Sequence, residues 1–174
     1  MSFARRLLLI STSTVHGSGY LEYCSDEIGS FLHGRDSILF IPIARPSGLT
    51  HDEYSEKARE HFAKLGIRLR GIHEFDHAPR AVQEAKATFM GGGNTFVLLR
   101  QLYDGGLVAE IRKRVAAGMP YMGTSAGSNV AGLSIGTTND MPIAYPPSFD
   151  ALGLVRFNLN PHYLDPDPSS THMG

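Results

Sequence analysis

Apolar positions follow two different periods along this chain. Short runs rich in Leu, Ile, Val, Phe and Met, typical of strands buried on both faces, occupy residues 6–11, 37–43, 67–72, 87–90 and 119–122. Segments with apolar residues at helical spacing lie between or before them, at residues 19–32, 52–65, 80–85, 95–102 and 107–117. This alternation predicts an α/β fold, with a mostly parallel sheet that is flanked by helices on both faces.

The end of the chain departs from this alternation. Residues 155–159 predict one more strand, whereas residues 165–174 are rich in Pro, Ser, Thr and His and show no period. A chain of 174 residues is long enough to bury a core in one domain but short for two. We therefore expect a single α/β domain over residues 1–164 and a flexible loop or truncated tail over residues 165–174.

Polar segments follow four of the predicted strands directly. They are residues 11–13, 42–47 and 91–94, and Ser125. Because the carboxyl ends of parallel strands lie at one edge of a sheet, we expect these segments to converge there. For the first two segments, simple polar turns are an alternative that the sequence leaves open.

The segment Gly123-Thr124-Ser125-Ala126-Gly127 joins a buried strand to residues 128–131, which can continue as a helix. In a nucleophile elbow the backbone turns sharply from strand to helix. Small residues two positions before and after the central Ser then avoid clashes while its hydroxyl projects from the sheet. Gly123 and Gly127 occupy those positions. The pattern predicts that Ser125 is the nucleophile of a serine hydrolase.

A serine hydroxyl needs a base to take its proton, and His162 is the best placed of the eight histidines. It follows the strand predicted at residues 155–159, so it would lie at the same sheet edge as Ser125. It also comes after the nucleophile in the chain, which is the order found in α/β hydrolases. His16, in the loop after the first strand, could line the cleft as well.

Three glycines and an asparagine, Gly91–Asn94, lie between a predicted strand and a predicted helix. Without side chains the backbone can approach a ligand closely and point free N–H groups at an oxyanion or a carboxylate. Phosphate binding is disfavoured, because neither the Lys-Ser/Thr pair of a P-loop nor a G-x-G-x-x-G spacing with an acidic partner is present. We therefore expect part of an oxyanion hole here and no cofactor.

Composition narrows the choice of partners and of compartment. The net charge is −1 and the 16 basic residues are scattered among 17 acidic ones, so we expect no binding to nucleic acid or to a membrane surface. No segment approaches the roughly 20 apolar residues that span a bilayer. Neither an H-E-x-x-H nor a C-x-x-C motif occurs, so we expect no metal. The single cysteine, Cys24, cannot form an internal disulfide, which suits a cytoplasmic protein.

Four motifs together resemble one family. They are Gly91–Phe96, Gly123–Gly127, Thr137–Ile143 and Asn160–Tyr163, and their order and spacing are similar to those of the peptidase E family of α-aspartyl dipeptidases. The third motif is the most specific, because neither an elbow nor a glycine-rich loop would supply it. The resemblance implies a fold similar to class I glutamine amidotransferase domains. It also implies hydrolysis of dipeptides with an N-terminal aspartate, written Asp-X.

Carried over by position, the resemblance implies roles for five residues. Ser125 is then the nucleophile and His162 the general base. The backbone of Gly92, Gly93 and Ala126 would form the oxyanion hole, whose N–H groups stabilise the charge that develops during acyl transfer.

Three further polar residues match the family motifs. Asp140 corresponds to an aspartate considered for the active site, where it could orient the histidine. It could equally be a structural aspartate that holds its loop through Thr137 and Thr138. Asn94 is expected to fix the glycine-rich turn, and Asn139 to bind substrate or support the loop.

The resemblance also implies features that this sequence does not contain. In the family the chain continues beyond the position of Gly174, through an arginine thought to bind the substrate's aspartate and a glutamate proposed as the third triad member. We therefore expect a fragment or a truncated product. A substrate carboxylate left unpaired in a cleft costs several kcal/mol, so a cation is needed. Arg45 is a candidate, and an exposed Arg before Pro46 is the alternative.

Other functions remain open at this point. A cyanophycinase-like peptidase shares the serine elbow and the general fold. A glutamine amidotransferase would need Cys at position 125, where this chain has Ser125. A truncated, catalytically impaired binding domain of the same fold is a further alternative. For the peptidase we expect a small peptide substrate and a monomer or homodimer.

Overall fold

The structure is a computed structural model that describes residues 4–163, and the strands in this part of the chain form one parallel sheet. The strands are β1 (Leu7–Ile10), β2 (Ser37–Ile41), β3 (Arg68–Gly71), β4 (Thr88–Met90) and β5 (Tyr121–Thr124). Their order across the sheet is β1-β5-β4-β2-β3, and every neighbouring pair is parallel. The predicted parallel sheet is confirmed.

Helices connect the strands and run on both sides of the sheet. They are α1 (Ser25–Phe31), α2 (His51–Lys64), α3 (Ala78–Glu84), α4 (Thr95–Asp104), α5 (Leu107–Ala116) and α6 (Ala126–Asn129), with 3₁₀ turns at Glu22–Cys24 and Ile72–Glu74. Within residues 4–163, no helix is both long and apolar enough to cross a membrane.

The core lies in two layers, one on each face of the sheet. Successive side chains of a strand point to opposite faces, so Phe40 of β2 packs with α1 and α2. Its neighbours Leu39 and Ile41 pack with α3, α4, α5 and α6. The fold is therefore a three-layer α/β/α arrangement, as the alternation of periods predicted.

Local sequence signals set several helix ends. Thr50 and Glu53 form a capping box at the start of α2, in which each side chain bonds to the other residue's backbone N–H. Asn94 caps α4, because its side chain accepts the N–H of Val97 at 3.1 Å. Gly118, with a φ of 96°, follows the end of α5 in the left-handed conformation that glycine adopts readily.

The prediction of a strand at residues 155–159 is wrong. This segment forms bends and irregular backbone, and it bonds to the loop after α6 instead of joining the sheet. The N–H groups of Leu154 and Val155 both donate to the carbonyl of Ala131, at 2.9 and 3.2 Å. Within the segment, Val155 and Leu159 are only partly buried and Phe157 is exposed, so its apolar residues lack the two-sided burial of a central strand. The expected tail, residues 165–174, lies outside the described residues.

Candidate active site

Ser125 stands at the turn between β5 and α6. Its φ of 52° and ψ of −118° are unusual for a residue with a side chain, and such strain persists only where the surroundings enforce it. Its N–H donates to the carbonyl of Ile10 at 3.0 Å, and its carbonyl accepts from Ser128 and Asn129 at 2.8 and 2.9 Å. These three bonds hold the serine in the elbow geometry that the sequence predicted.

Two glycines make the elbow sterically possible. A side chain at Gly123 would meet the carbonyl of Gly127, and a side chain at Gly127 would meet the carbonyl of Met90. The buried hydroxyl of Tyr121 donates to the carbonyl of Gly127 at 2.6 Å. Burial raises the pKa of Tyr121 above its usual value, so the hydroxyl remains a donor. The helix therefore packs directly on the strands at this point.

His162 lies against Ser125. Its Nε2 is 2.7 Å from the Oγ of Ser125, which is hydrogen-bonding distance. The backbone around His162 has a φ of 67°, and its N–H donates to the Oγ of Ser11 at 2.7 Å. Further back, the side-chain amide of Asn129 donates to the carbonyl of Leu159 at 2.7 Å. The loop that carries the histidine is thus tied both to the end of β1 and to the helix that follows the nucleophile.

Two of these positioning residues were not among the sequence candidates. Ser11 belongs to the polar segment after β1, for which a simple turn was the alternative. Asn129 lies four residues after Ser125 and is 1 % exposed, and a buried asparagine in a predicted helix carried no functional signal. The polar segments after β1, β2, β4 and β5 all end at the same edge of the sheet, as expected from parallel strands.

Asp140 hydrogen-bonds to residues other than His162. Its carboxylate accepts the N–H of Thr95 at 2.7 Å, at the start of α4, and the hydroxyl of Thr138 at 3.2 Å. Among residues 4–163 no hydrogen bond joins Asp140 to His162. The free N–H groups at a helix start attract a carboxylate, which explains the placement. The geometry corresponds to the structural alternative, in which Asp140 holds its own loop.

The glycine-rich loop lies directly beside Ser125, but its three N–H groups are not equivalent. A Cβ added at Gly92 would lie 3.0 Å from the Cβ of Ser125. The N–H of Gly92 donates to the hydroxyl of Tyr54 at 3.1 Å, which differs from the expectation that it serves the oxyanion hole. In the described part of the chain, the N–H groups of Gly93 and Ala126 have no acceptor. Within residues 4–163, these two N–H groups therefore remain free to donate to a ligand beside Ser125.

The two asparagines connect loops around the site. Besides capping α4, Asn94 donates from its amide to the carbonyl of Met141 at 2.8 Å. Asn139 approaches the side chain of Asn160 at 3.4 Å, close to the loop that carries His162. Both contacts are with protein groups, and the roles expected for the two asparagines stay predictions. His16 is exposed and shows no hydrogen bond to Ser125 or His162.

No group of three or more His, Cys, Asp or Glu side chains that could hold a metal ion occurs among the residues that the structure describes. A hydroxyl that is hydrogen-bonded to an imidazole can lose its proton as it attacks a carbonyl, and free N–H groups beside it can stabilise the resulting oxyanion. On a parallel three-layer sheet this combination defines the class of serine-type hydrolases.

Comparison with known proteins places the chain within that class. The sequence profile of Peptidase family S51 matches residues 7–173. The chain therefore belongs to peptidase family S51 and is a serine-type peptidase.

Relatives from distant organisms are similar over nearly the whole chain. Peptidase E from Streptomyces coelicolor is 51 % identical over 168 residues, which cover 97 % of this chain and 68 % of the relative. A Drosophila melanogaster protein named probable alpha-aspartyl dipeptidase is 49 % identical over 177 residues, which cover 100 % of this chain and 72 % of the relative.

Solved structures support the same fold. A crystal structure of a Listeria monocytogenes protein assigned to peptidase E superposes with a TM-score of 0.69 at 26 % identity, and covers 89 % of this chain and 78 % of that one. A peptidase from an acI-B1 Actinobacterium gives a TM-score of 0.63 at 18 % identity, covers 86 % of this chain and 64 % of that one, and shows the fold alone. The glutamine amidotransferase-like arrangement implied by the resemblance is confirmed.

Proposed function

We propose that this chain is a dipeptidase that hydrolyses Asp-X dipeptides through an acyl-enzyme. The observation that carries the proposal is the 2.7 Å contact between the Oγ of Ser125 and the Nε2 of His162 at a strand-to-helix elbow. The substrate class comes from the relatives, since proteins named peptidase E and probable alpha-aspartyl dipeptidase are about half identical to this chain.

Ser125 carries out the first step. Its Oγ forms a bond to the carbonyl carbon of the N-terminal aspartate while its proton passes to the Nε2 of His162. The carbonyl π electrons move onto the oxygen, and the N–H groups of Gly93 and Ala126 donate to that oxyanion. Gly92 contributes by the absence of a side chain, which leaves room for the substrate beside Ser125.

His162 serves both following steps. The tetrahedral intermediate collapses, the C–N bond breaks, and the imidazolium gives its proton to the leaving amine of residue X. A water molecule then loses a proton to His162 and attacks the acyl carbon. The ester bond to Ser125 breaks, the Oγ regains a proton, and free aspartate leaves.

Hydrolysis of Asp-Leu, Glu-Leu and Ala-Leu by the wild-type chain and by Ser125→Ala tests the proposal. We expect Asp-Leu to be cleaved preferentially and the variant to lose activity by about four orders of magnitude or more, as when other serine nucleophiles are removed. Ser30→Ala, an exposed serine of α1, is the matched control and should retain activity. Full activity in Ser125→Ala would refute the assignment of the nucleophile.

One observation supports a second candidate function, an impaired domain that binds peptides without cleaving them. Among residues 4–163 no carboxylate hydrogen-bonds the imidazole of His162, so no orienting acid is in place. A fluorophosphonate probe separates the two functions, because labelling of Ser125 requires an activated hydroxyl. A folded protein that binds Asp-Leu but resists the probe would favour the binding domain. Cleavage of aspartate–arginine polymer in place of Asp-Leu would favour a cyanophycinase-like peptidase.

Two finer expectations accompany the proposal. We place the enzyme in the cytoplasm, because its single cysteine, Cys24, is a free and buried thiol of the kind that reducing compartments maintain. We expect it to act as a monomer or homodimer. Fractionation and light scattering of the purified protein test these two points.

A further inference from the structure

Arg45 lies in the loop after β2, beside the glycine-rich loop of the active site. The carbonyl of Ala44 accepts the N–H of Asn94 at 2.8 Å. β2 is the direct neighbour of β4, whose end leads into Gly91–Asn94. The residue after Ala44 is therefore held next to the loop that flanks Ser125.

The side chain of Arg45 is held in place but has no counter-ion among residues 4–163. Its guanidinium carbon lies 4.6 Å from the centre of the Tyr54 ring, a cation–π arrangement. The hydroxyl of the same tyrosine accepts the N–H of Gly92 at 3.1 Å, so one buried ring supports both the cation and the glycine-rich loop. The Nε of Arg45 is buried without a hydrogen-bond partner, and no carboxylate within residues 4–163 forms an ion pair with the guanidinium.

Other arginines that contact the loops of the site are already engaged. Arg100 pairs with Asp104 at 2.6 Å and also donates to a backbone carbonyl. Arg5 and Arg112 donate to backbone carbonyls between residues 151 and 154. Arg45 is half-buried, and a buried N–H without a partner, such as its Nε, is costly. A carboxylate ligand that accepts a hydrogen bond from the guanidinium would offset this cost. Arg45 therefore offers an open site for a carboxylate.

The sheet order indicates which substrate carboxylate reaches Arg45. β5, which carries Ser125, lies between β1 and β4. His162 is tied to Ser11 on the β1 side, whereas Arg45 lies on the β4–β2 side. The histidine must be close to the leaving amine, so residue X lies toward β1. The N-terminal aspartate then extends toward Arg45.

We propose that Arg45 is a specificity-determining residue that binds the side-chain carboxylate of the substrate's N-terminal aspartate. The inference rests on the proposed function. The guanidinium lies over the Tyr54 ring, and guanidinium N–H groups form charge-assisted hydrogen bonds to carboxylates. A substrate with asparagine in place of the N-terminal aspartate carries a neutral amide and would therefore gain much less binding free energy from Arg45.

The test compares Arg45→Met and Arg45→Lys with the wild type on Asp-Leu and on Asp-Leu amide. Loss of a charge-assisted hydrogen bond should lower kcat/KM for both substrates by about 10- to 100-fold in Arg45→Met, mainly through KM. Arg45→Lys should recover part of the loss, because it keeps the charge. Arg68→Met is the matched control and should behave as wild type. Arg68 is an exposed arginine at the start of β3, at the amino ends of the strands and away from Ser125.

Binding to an inactive background gives a second measurement. Calorimetry with Ser125→Ala should show that Asp-Leu binds more tightly than Asn-Leu, and that adding Arg45→Met removes this preference. Should Arg45→Met fold poorly, Arg45→Gln replaces it in both experiments.

The possible failures are distinguishable. Wild-type protein that cleaves no Asp-Leu refutes the proposed function and the inference with it. Cleavage that is equally fast in Arg45→Met refutes the inference alone. Equal losses of binding for Asp-Leu and Asn-Leu would assign Arg45 a structural role, and a loss absent with Asp-Leu amide would assign it to the C-terminal carboxylate. Either result overturns the inference.

Discussion

At the scale of single residues, the site depends on contacts that hold backbone groups in place. Ser125 keeps a positive φ because its N–H and carbonyl are bonded on both sides of the elbow. Tyr54 accepts the N–H of Gly92, whereas the N–H of Gly93 has no acceptor among residues 4–163. The positions of Ser125 and of the glycine-rich loop therefore depend on buried groups that do not themselves line the site.

Tyr54→Phe tests this dependence. The change keeps the ring but removes the acceptor of the Gly92 N–H, which is then buried without a partner, so we expect a loss of about 1–3 kcal/mol in the free energy of unfolding. We also expect kcat for Asp-Leu to fall because the oxyanion donors shift, with a smaller change in KM. Tyr103→Phe removes a hydroxyl bonded to the Asp150 carbonyl and is the control. Unchanged kcat in Tyr54→Phe would contradict the role of this bond.

Asp140→Asn separates the two roles considered for this carboxylate. Because Asp140 bonds to Thr95 and Thr138, we expect a stability loss of about 1 kcal/mol and less than about a tenfold loss of kcat. An aspartate that orients the catalytic histidine would give a loss of about 10⁴-fold when changed to asparagine. Denaturant unfolding and steady-state kinetics on one preparation provide both numbers, and the larger kinetic loss would reverse our assignment.

At the scale of elements, the elbow requires α6 to approach the sheet with backbone against backbone. β5, α6 and the end of β4 lie so close together that no Cβ fits at Gly123 or Gly127. This packing fixes the direction of α6 and hence the position of Asn129, whose amide holds the loop that carries His162. A change in helix packing should therefore affect both stability and the alignment of the histidine.

Gly127→Ala tests the packing of α6. The added methyl group would meet the carbonyl of Met90, so we expect the unfolding free energy to fall by about 2 kcal/mol or more. Gly29→Ala is the matched control, because Gly29 lies in α1 with nothing within 4 Å of the added Cβ. There the better helix propensity of alanine should add up to about 1 kcal/mol. Chemical denaturation of both variants gives the comparison, and equal stabilities would argue against close packing at the elbow.

At the scale of the whole molecule, a buried histidine makes stability depend on pH. His61 lies in α2, is 7 % exposed and packs against the rings of Tyr20 and Phe62. Burial lowers the pKa of His61, the nearby charge of Lys64 lowers it further, and Glu22 opposes the shift. The folded protein therefore binds this proton less readily than the unfolded chain does.

The sign of the effect follows from linkage. The unfolded pKa of histidine is about 6.5, so the contribution of His61 to stability is complete above that value and is lost as the pH falls through the lower folded pKa. We expect urea midpoints to fall between about pH 7.5 and about pH 5.5, and His61→Gln to reduce this fall. His33→Gln, an exposed site, should leave the pH dependence unchanged. An identical fall in both variants would assign the dependence to other groups.

Several features of the site were accessible from the order of residues alone. The alternation of periods indicated the parallel sheet, and the glycines around Ser125 indicated the elbow, because both leave a local pattern of residue types in the chain. The position of His162 was also anticipated, but for a partly wrong reason. It was placed by a strand that does not form, whereas the structure holds it through Ser11 and Asn129.

Sequence by itself thus determined the type of fold, the elbow at Ser125 and the loops that converge on it, because propensity, periodicity and tight-turn sterics act locally. Only the tertiary structure decided that Tyr54 accepts the N–H of Gly92, that Asp140 bonds to α4, and that the loop of Arg45 lies beside the glycine-rich loop. Those contacts join residues that are far apart in the chain. Their partners are chosen by the competition among all buried polar groups for hydrogen bonds, which no local pattern records.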